Sequence, residues 1–376
     1  MELKLAKKKY EEITPRSFQR YDLLPDDALR LIFSKTSFVD HIRLKLVCKR
    51  WKRLLDGGDI RSTSILPWIM LCSWQPVAGD EGLVVEGLCK LYDPSHRKTY
   101  TLEDGITKRG SRSKERHKLV WAGILESKYG WVLFQKHTSL FLYCPFTSEV
   151  IDLPELEEPP FRATFSSNPT SADCLFFAYR RGRMGDSAAT NSICLCRRGD
   201  QAWKTIQLLD SIAGSCFLRC VAYSNGAFYC LFEDGQLGAF NVATEQWDLL
   251  FSEKWQRSYY LFESDGQLFS LQLRKGFRIS RFDFSSRNWV QGASPLCGHQ
   301  AAFIQLEPPS LMLIPAVGEA TQLAGTLNEF YSTKGVRHYS FKTNENLPLL
   351  DAYSKATIFS AGIHNKVWIQ PPKCSS

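Results

Sequence analysis

The chain has 376 residues, of which 44% are hydrophobic, 23% charged and 13% aromatic, and its formal net charge is +8. At roughly 100–200 residues per domain this length calls for two or three folded units, and the composition excludes both general disorder and a small disulfide-stapled fold. With 24 Phe, 14 Tyr and 10 Trp against only 4 Met, half-buried strands are favoured over a helical bundle.

The opening stretch from Met1 to Glu12, MELKLAKKKYEE, contains no apolar core of signal-peptide length, and no uncharged apolar run nears the ~20 residues that cross a bilayer. The expectation is a soluble chain that works in the cytoplasm or the nucleus, off the membrane, with residues 1–19 as a flexible basic N-terminus. The 12 Cys carry no CxxC pairs and are read as reduced core thiols. Cys194 and Cys196 form a CxC, but strand alternation puts both on one face with no matching Cys or His nearby, so no metal site is expected there.

Residues 20–60 have helical spacing. Pro25 suits a first helical position, and Asp26 and Asp27 complement the positive end of a helix dipole. Leu29, Ile32 and Phe33 follow at i, i+3, i+4. Ser37 or Asp40 can cap a second segment in which Leu44, Val47, Cys48, Trp51, Leu54 and Leu55 share a face, ended by Gly57 and Gly58. Two or three short helices result, too few to bury their own stripes completely.

From residue 65 to 371 the period becomes that of strands. Ser224-Asn225-Gly226-Ala227 leads on to Ala239-Phe240-Asn241-Val242 and then Trp247, while Ser264-Asp265-Gly266-Gln267 leads on to Arg281-Phe282-Asp283-Phe284 and then Trp289. The two glycines are 40 positions apart and the two tryptophans 42. Tyr129-Gly130 begins the same grammar again. Looser copies run through Cys174 to Phe177 with Ile193 to Leu195, Leu311 to Ile314 with His338 to Phe341, and Leu88 to Asp93 with Tyr100 to Leu102. A period of ~40–50 residues with a glycine hairpin, a short hydrophobic strand and a closing Trp describes a four-stranded propeller blade. The fold expected is mainly β, a six- or seven-bladed β-propeller preceded by a small all-α domain, with residues 372–376 as a tail. The last copy, Ala356 to Phe359 with Lys366 to Ile369, either completes the blade begun near Trp68 or leaves a partial one.

Leu24-Pro25 followed by Val47-Cys48-Lys49-Arg50-Trp51 resembles an F-box, and with the β-rich remainder the chain resembles the plant F-box proteins that carry a kelch-like propeller. That resemblance implies a substrate-recognition subunit of an SCF-type ubiquitin ligase, without an active site or cofactor of its own. The helical domain docks on a Skp1-type adaptor, and through it a cullin–RING ligase, while the propeller selects an unknown target protein. Carried over by position, Leu24, Pro25, Leu29, Ile32, Phe33, Val47, Cys48 and Trp51 belong to the adaptor-facing part, against the alternative for each of packing inside the helical unit. Ala28 and Thr36 stand where the family pattern usually has Leu.

Two basic stretches are candidates for an acidic or phosphorylated target: Arg180, Arg181 and Arg183, and Lys108 to Lys118, which holds six Lys or Arg against Glu115 alone. Neither interleaves aromatics in the manner of a nucleic-acid groove, so no nucleic-acid partner is expected. The sequence lacks GxSxG, GxxxxGK[ST], HExxH and GxGxxG, and its seven His are scattered. Catalytic residues gathered from distant blades leave no such signature, so a propeller enzyme or carbohydrate-binding module with a helical cap stands as the alternative.

Overall fold

The computed structural model describes residues 24–34, 36, 38–56, 66–79, 82–102, 119, 121–181, 191–208, 217–252, 260–272, 277–292, 296, 299–305, 309–331, 335–341, 343, 345–347, 353 and 365–371. The N-terminus to residue 19, Ser37, Gly57, Gly58, the Lys108 to Lys118 stretch, Arg183, Ala356 to Phe359 and residues 372–376 lie outside the described residues.

Three helices are described: α1 (Asp26–Phe33), α2 (Phe38–Lys45) and α3 (Lys49–Asp56). Pro25 sits one position earlier than its sequence preference suggests. It is the residue before the first turn, extended at ψ 151°, and its carbonyl accepts the Leu29 N–H at 3.1 Å. Arg50 ties the start of α1 to α3, donating to the Asp26 carboxylate and the Leu24 carbonyl, both at 2.6 Å. At the other end of α1, the Thr36 hydroxyl donates to the Phe33 carbonyl at 2.8 Å, and a buried His41 ring nitrogen lies 2.6 Å from the same oxygen. The polar Thr36 thus helps His41 to satisfy a carbonyl at the helix end.

The strands form six sheets among the described residues. Blade one begins with β1 (Trp68–Gly79), β2 (Gly82–Asp93) and β3 (Lys98–Leu102). Blade two holds β4 (Gly123–Lys128), β5 (Trp131–Lys136), β6 (Ser139–Cys144) and β7 (Glu149–Asp152). Blade three holds β8 (Arg162–Phe165), β9 (Leu175–Arg180), β10 (Ser192–Arg197) and β11 (Lys204–Gln207). Blade four holds β12 (Leu218–Ser224), β13 (Ala227–Phe232), β14 (Leu237–Asn241) and β15 (Gln246–Phe251), and blade five β16 (Tyr260–Ser264), β17 (Gln267–Gln272), β18 (Arg278–Asp283) and β19 (Asn288–Gln291). Blade six holds β20 (Gln300–Gln305), β21 (Ser310–Pro315), β22 (Thr326–Tyr331), β23 (Gly335–Ser340) and β24 (Glu345–Leu347). The C-terminal strand β25 (Asn365–Ile369) pairs antiparallel with β1, Trp68 opposite Ile369, and becomes the first strand of blade one. The ring therefore has six blades, closed by the last strand of the chain.

The repeat seen in the sequence is a repeat of turn chemistry. The hairpins that open blades two, four and five turn through Tyr129-Gly130, Asn225-Gly226 and Asp265-Gly266, with φ of 54° and 80°, 48° and 77°, and 51° and 75°. Two consecutive left-handed residues match the twist of antiparallel strands. A second turn signal heads the later hairpins: the side chains of Asp93, Asn241 and Asp283 each accept a backbone N–H two residues on, at 2.9–3.0 Å. Trp247 and Trp289 stand on the outermost strands of blades four and five, opposite Phe240 and Phe282.

Blade six departs from the four-stranded expectation. Its order is β21-β20-β22-β23-β24, with β20 and β22 parallel. The parallel step needs a crossover, supplied by a 3-10 turn over Gly318–Leu323, and buried Asn328 secures it by donating to the Ala302 carbonyl at 3.0 Å. Strand β21 is thereby turned to the inner edge of its blade, where it touches β16 and also β4, two blades away.

Candidate functional site

The helical unit has a core of its own. Leu29, Phe33, Leu54 and Leu55 are buried together, with Leu24, Leu44 and Trp51 packed against them and the Phe33 and Trp51 rings edge to face at 5.3 Å. Of the residues assigned by sequence to an adaptor-facing part, Leu29 (1% exposed) and Phe33 (0%) are thus internal, Pro25 is exposed, and Leu24, Val47, Cys48 and Trp51 are partly exposed. Ile32 is exposed at 48%, and beside it in sequence Leu31 at 65%; Leu46, in the turn after α2, stands at 56%. The helical stripe in the sequence could not reveal Leu31 and Leu46, because apolar periodicity marks the inward face and these two point away from it.

The second site is the mouth of the central channel at the rim of the Tyr129-Gly130 turn. A cavity of about 220 Å³ is lined there by residues of the innermost strands β4, β12, β16 and β21, with Ser166 and Gln370 at the ends of β8 and β25. Its chemistry is mixed. Lys128 Nζ donates to Thr164 Oγ1 at 2.8 Å and lies 3.4 Å from Glu126 Oε2, so this cation and Glu126 compensate each other. Glu263, also on the lining, accepts the Gly266 N–H at 2.6 Å and has no ion-pair partner among the described residues. The Tyr129 hydroxyl donates to the Ser166 carbonyl at 3.3 Å. Burial, and then the negative fields of Glu263, Cys174 and Glu126, push this phenol above its ordinary pKa, so it stays a neutral donor. Tyr129 holds φ 54° where blades four and five use Asn225 and Asp265, and it is 49% exposed. In the sequence Tyr129 and Leu311 to Leu313 stood out only as parts of the strand repeat, and the lining is assembled from short runs on blades far apart in the chain.

The arginine cluster read from the sequence lies at the end of β9 and is already engaged. Arg180 donates to Glu157 Oε2 at 3.3 Å and Glu158 Oε2 at 3.2 Å. Arg181 stacks on the Phe217 ring at 4.0 Å. Two carboxylates thus already compensate the Arg180 guanidinium. Among the described residues no group of three or more His, Cys, Asp or Glu is placed to hold a metal ion.

Among the described residues, three helices with their own core precede a closed six-bladed ring, the architecture of a β-propeller protein with a helical N-terminal unit. The chain belongs to the KIB1-4 beta-propeller family: that family's model matches residues 91–316, and the F-box domain model matches residues 22–62. Among its relatives in Arabidopsis thaliana, F-box/kelch-repeat protein At3g18720 is 29% identical over 265 residues, covering 67% of this chain and 64% of that one. F-box protein At3g56470 is 26% identical over 286 residues, 73% of this chain and 70% of that one. F-box/kelch-repeat protein KIB1 is 26% identical over 247 residues, 63% of this chain and 58% of that one. The match to At3g18720 thus spans a little less than two thirds of that relative's length.

Proposed function

We propose that this chain is the substrate-recognition subunit of an SCF-type ubiquitin ligase, working in the cytoplasm or nucleus. Its helical head docks on a Skp1-type adaptor, and through it a cullin–RING ligase, while the propeller holds a target protein for ubiquitination. The observation that carries this reading is the split within the head. Leu29, Phe33, Leu54 and Leu55 satisfy the head's own core, which leaves exposed Leu31, Ile32 and Leu46 surplus to folding. Apolar side chains of that size on a small helical unit mark a surface for a partner. The F-box match over residues 22–62 supports the same partner class.

The test is capture by a purified Skp1-type adaptor. Leu31→Asp with Leu46→Asp replaces two exposed side chains, so the Tm should match the parent's while capture falls about 100-fold or more. Each tenfold is about 1.4 kcal/mol, and burying unpaired charge in an interface costs more than twice that. Unchanged capture by the doubly substituted chain sinks the docking assignment. Reconstituted ubiquitin transfer to a captured target then separates a ligase receptor from a protein that only sequesters.

A further inference from the structure

Building on the receptor reading, we propose that the channel mouth binds a basic side chain, arginine or lysine, of the target protein. Size sets the scale. At about 220 Å³ the cavity falls below the ~300–1,000 Å³ of sites that enclose a cofactor or drug-sized ligand, and suits one protruding side chain.

Charge sets the sign. Two carboxylates, Glu126 and Glu263, share the lining with one cation, Lys128, and that cation is held by Glu126 and Thr164. Glu263 is left with a single backbone N–H and an uncompensated negative charge. Tyr129 and Tyr223 are also among the lining residues, and aromatic faces attract guanidinium and ammonium groups. A guanidinium brings five N–H donors and an ammonium three, and the Glu263 carboxylate can accept from either.

The chain as a whole is at +8, which does not oppose the assignment. Charges farther away than the ~8–10 Å screening length at physiological salt contribute little at the mouth, so the local pair decides. Target recognition then reads as a protruding loop of the partner that sends a basic residue into the channel while flanking residues rest on the rim.

The experiment uses the full chain and immobilised Gly/Ser peptides that differ only at one central residue: Arg, Lys, the neutral isostere citrulline, or Glu. Expected retention is at least tenfold higher on Arg or Lys than on citrulline. Glu263→Gln keeps the oxygen that accepts the Gly266 N–H and should bring the ratio to within about twofold of unity. Glu263→Lys should turn the preference toward the Glu peptide. Equal retention on Arg and citrulline, a parent preference for Glu, or a basic preference that survives both substitutions overturns the proposal. Adaptor capture measured on the same preparations keeps the two readings apart. Loss of capture with intact basic preference removes the receptor reading alone, and intact capture without basic preference removes the channel assignment alone.

Discussion

Trp368, on the last strand, donates its indole N–H to the carbonyl of Ile304 at 3.0 Å, and this bond joins the end of the chain to blade six. The same ring stacks on Phe330 at 4.1 Å and meets Tyr353 edge to face at 5.3 Å. Tyr353 in turn donates to the Pro67 carbonyl at 2.8 Å, just ahead of β1. One buried side chain thus links first blade, last blade and closing strand.

Closure should accordingly be sensitive to Trp368. Trp368→Phe keeps most of the packing but leaves the Ile304 carbonyl without its donor, and should lower unfolding free energy by about 1–3 kcal/mol. Trp368→Ala should cost about 3–5 kcal/mol. Both are read by denaturant titration. A chain ending at residue 364 loses β25 altogether, and its unfolding transition should broaden.

Gly238 is a packing site rather than a turn. A Cβ added there would lie 2.1 Å from Cζ2 of Trp247 on the neighbouring strand, in a blade whose register already shifts between Leu237 and Gly238. Gly238→Ala is therefore expected to destabilise by about 1–3 kcal/mol through overpacking. In a double-mutant cycle, Trp247→Leu should recover part of that loss, because the two sites share one space. Strict additivity would show that the indole is not the obstacle.

Tyr129 stands at φ 54°, a conformation that is uncommon for a bulky residue. Tyr129→Asn copies the residue at the equivalent turn of blade four. It should raise the Tm by about 1–2 °C despite losing the hydroxyl's bond to Ser166, while retention on the Arg peptide falls. If Tyr129 serves only as a turn residue, the Tm should rise while retention on the Arg peptide stays unchanged.

Asp283 and Asp93 occupy matching turns and titrate oppositely. Hydrogen bonds from the Ser285 and Ser286 hydroxyls and the Ser285 N–H draw Asp283 down to about 2. Burial raises Asp93 above its ordinary value although His96 lies 2.9 Å away. A folded-state pKa below the ~3.9 of an unfolded Asp means that the Asp283 contribution is fully present above about pH 4 and is lost as pH falls toward 2. Asp283→Ala should thus lower the Tm at pH 7, with the gap to the parent closing between pH 4 and pH 2. Asp283→Asn, which reproduces Asn241 of blade four, should abolish that acid dependence while keeping most of the stability at pH 7.

The propeller was legible because its repeat is written in local chemistry. Asn225-Gly226 and Asp265-Gly266 specify left-handed turns wherever they occur, and Trp247 and Trp289 recur at the spacing of a blade. The helical head was legible for the same reason, through the spacing of Leu29 and Phe33. Alternation and turn type depend on neighbours a few residues away, so the chain carries them on its face.

Other properties depend on residues that meet only in the tertiary structure. That the blades number six was settled by β25 pairing with β1, across nearly the whole chain. Strand β21 could be recognised as a strand, but its place at the inner edge followed from the parallel pairing of β20 with β22. Arg180 reads as a free basic residue until the fold sets Glu157 and Glu158 against it. The channel mouth draws Glu126, Tyr223, Glu263 and Met312 from four blades, each at one position of an inner strand. Local sequence determined the repeating unit and the helical head; the tertiary structure alone decided the ring size, the inner strand and the composition of the cavity, because those rest on pairings beyond the reach of local pattern, from Ala302 with Leu327 to Trp68 with Ile369.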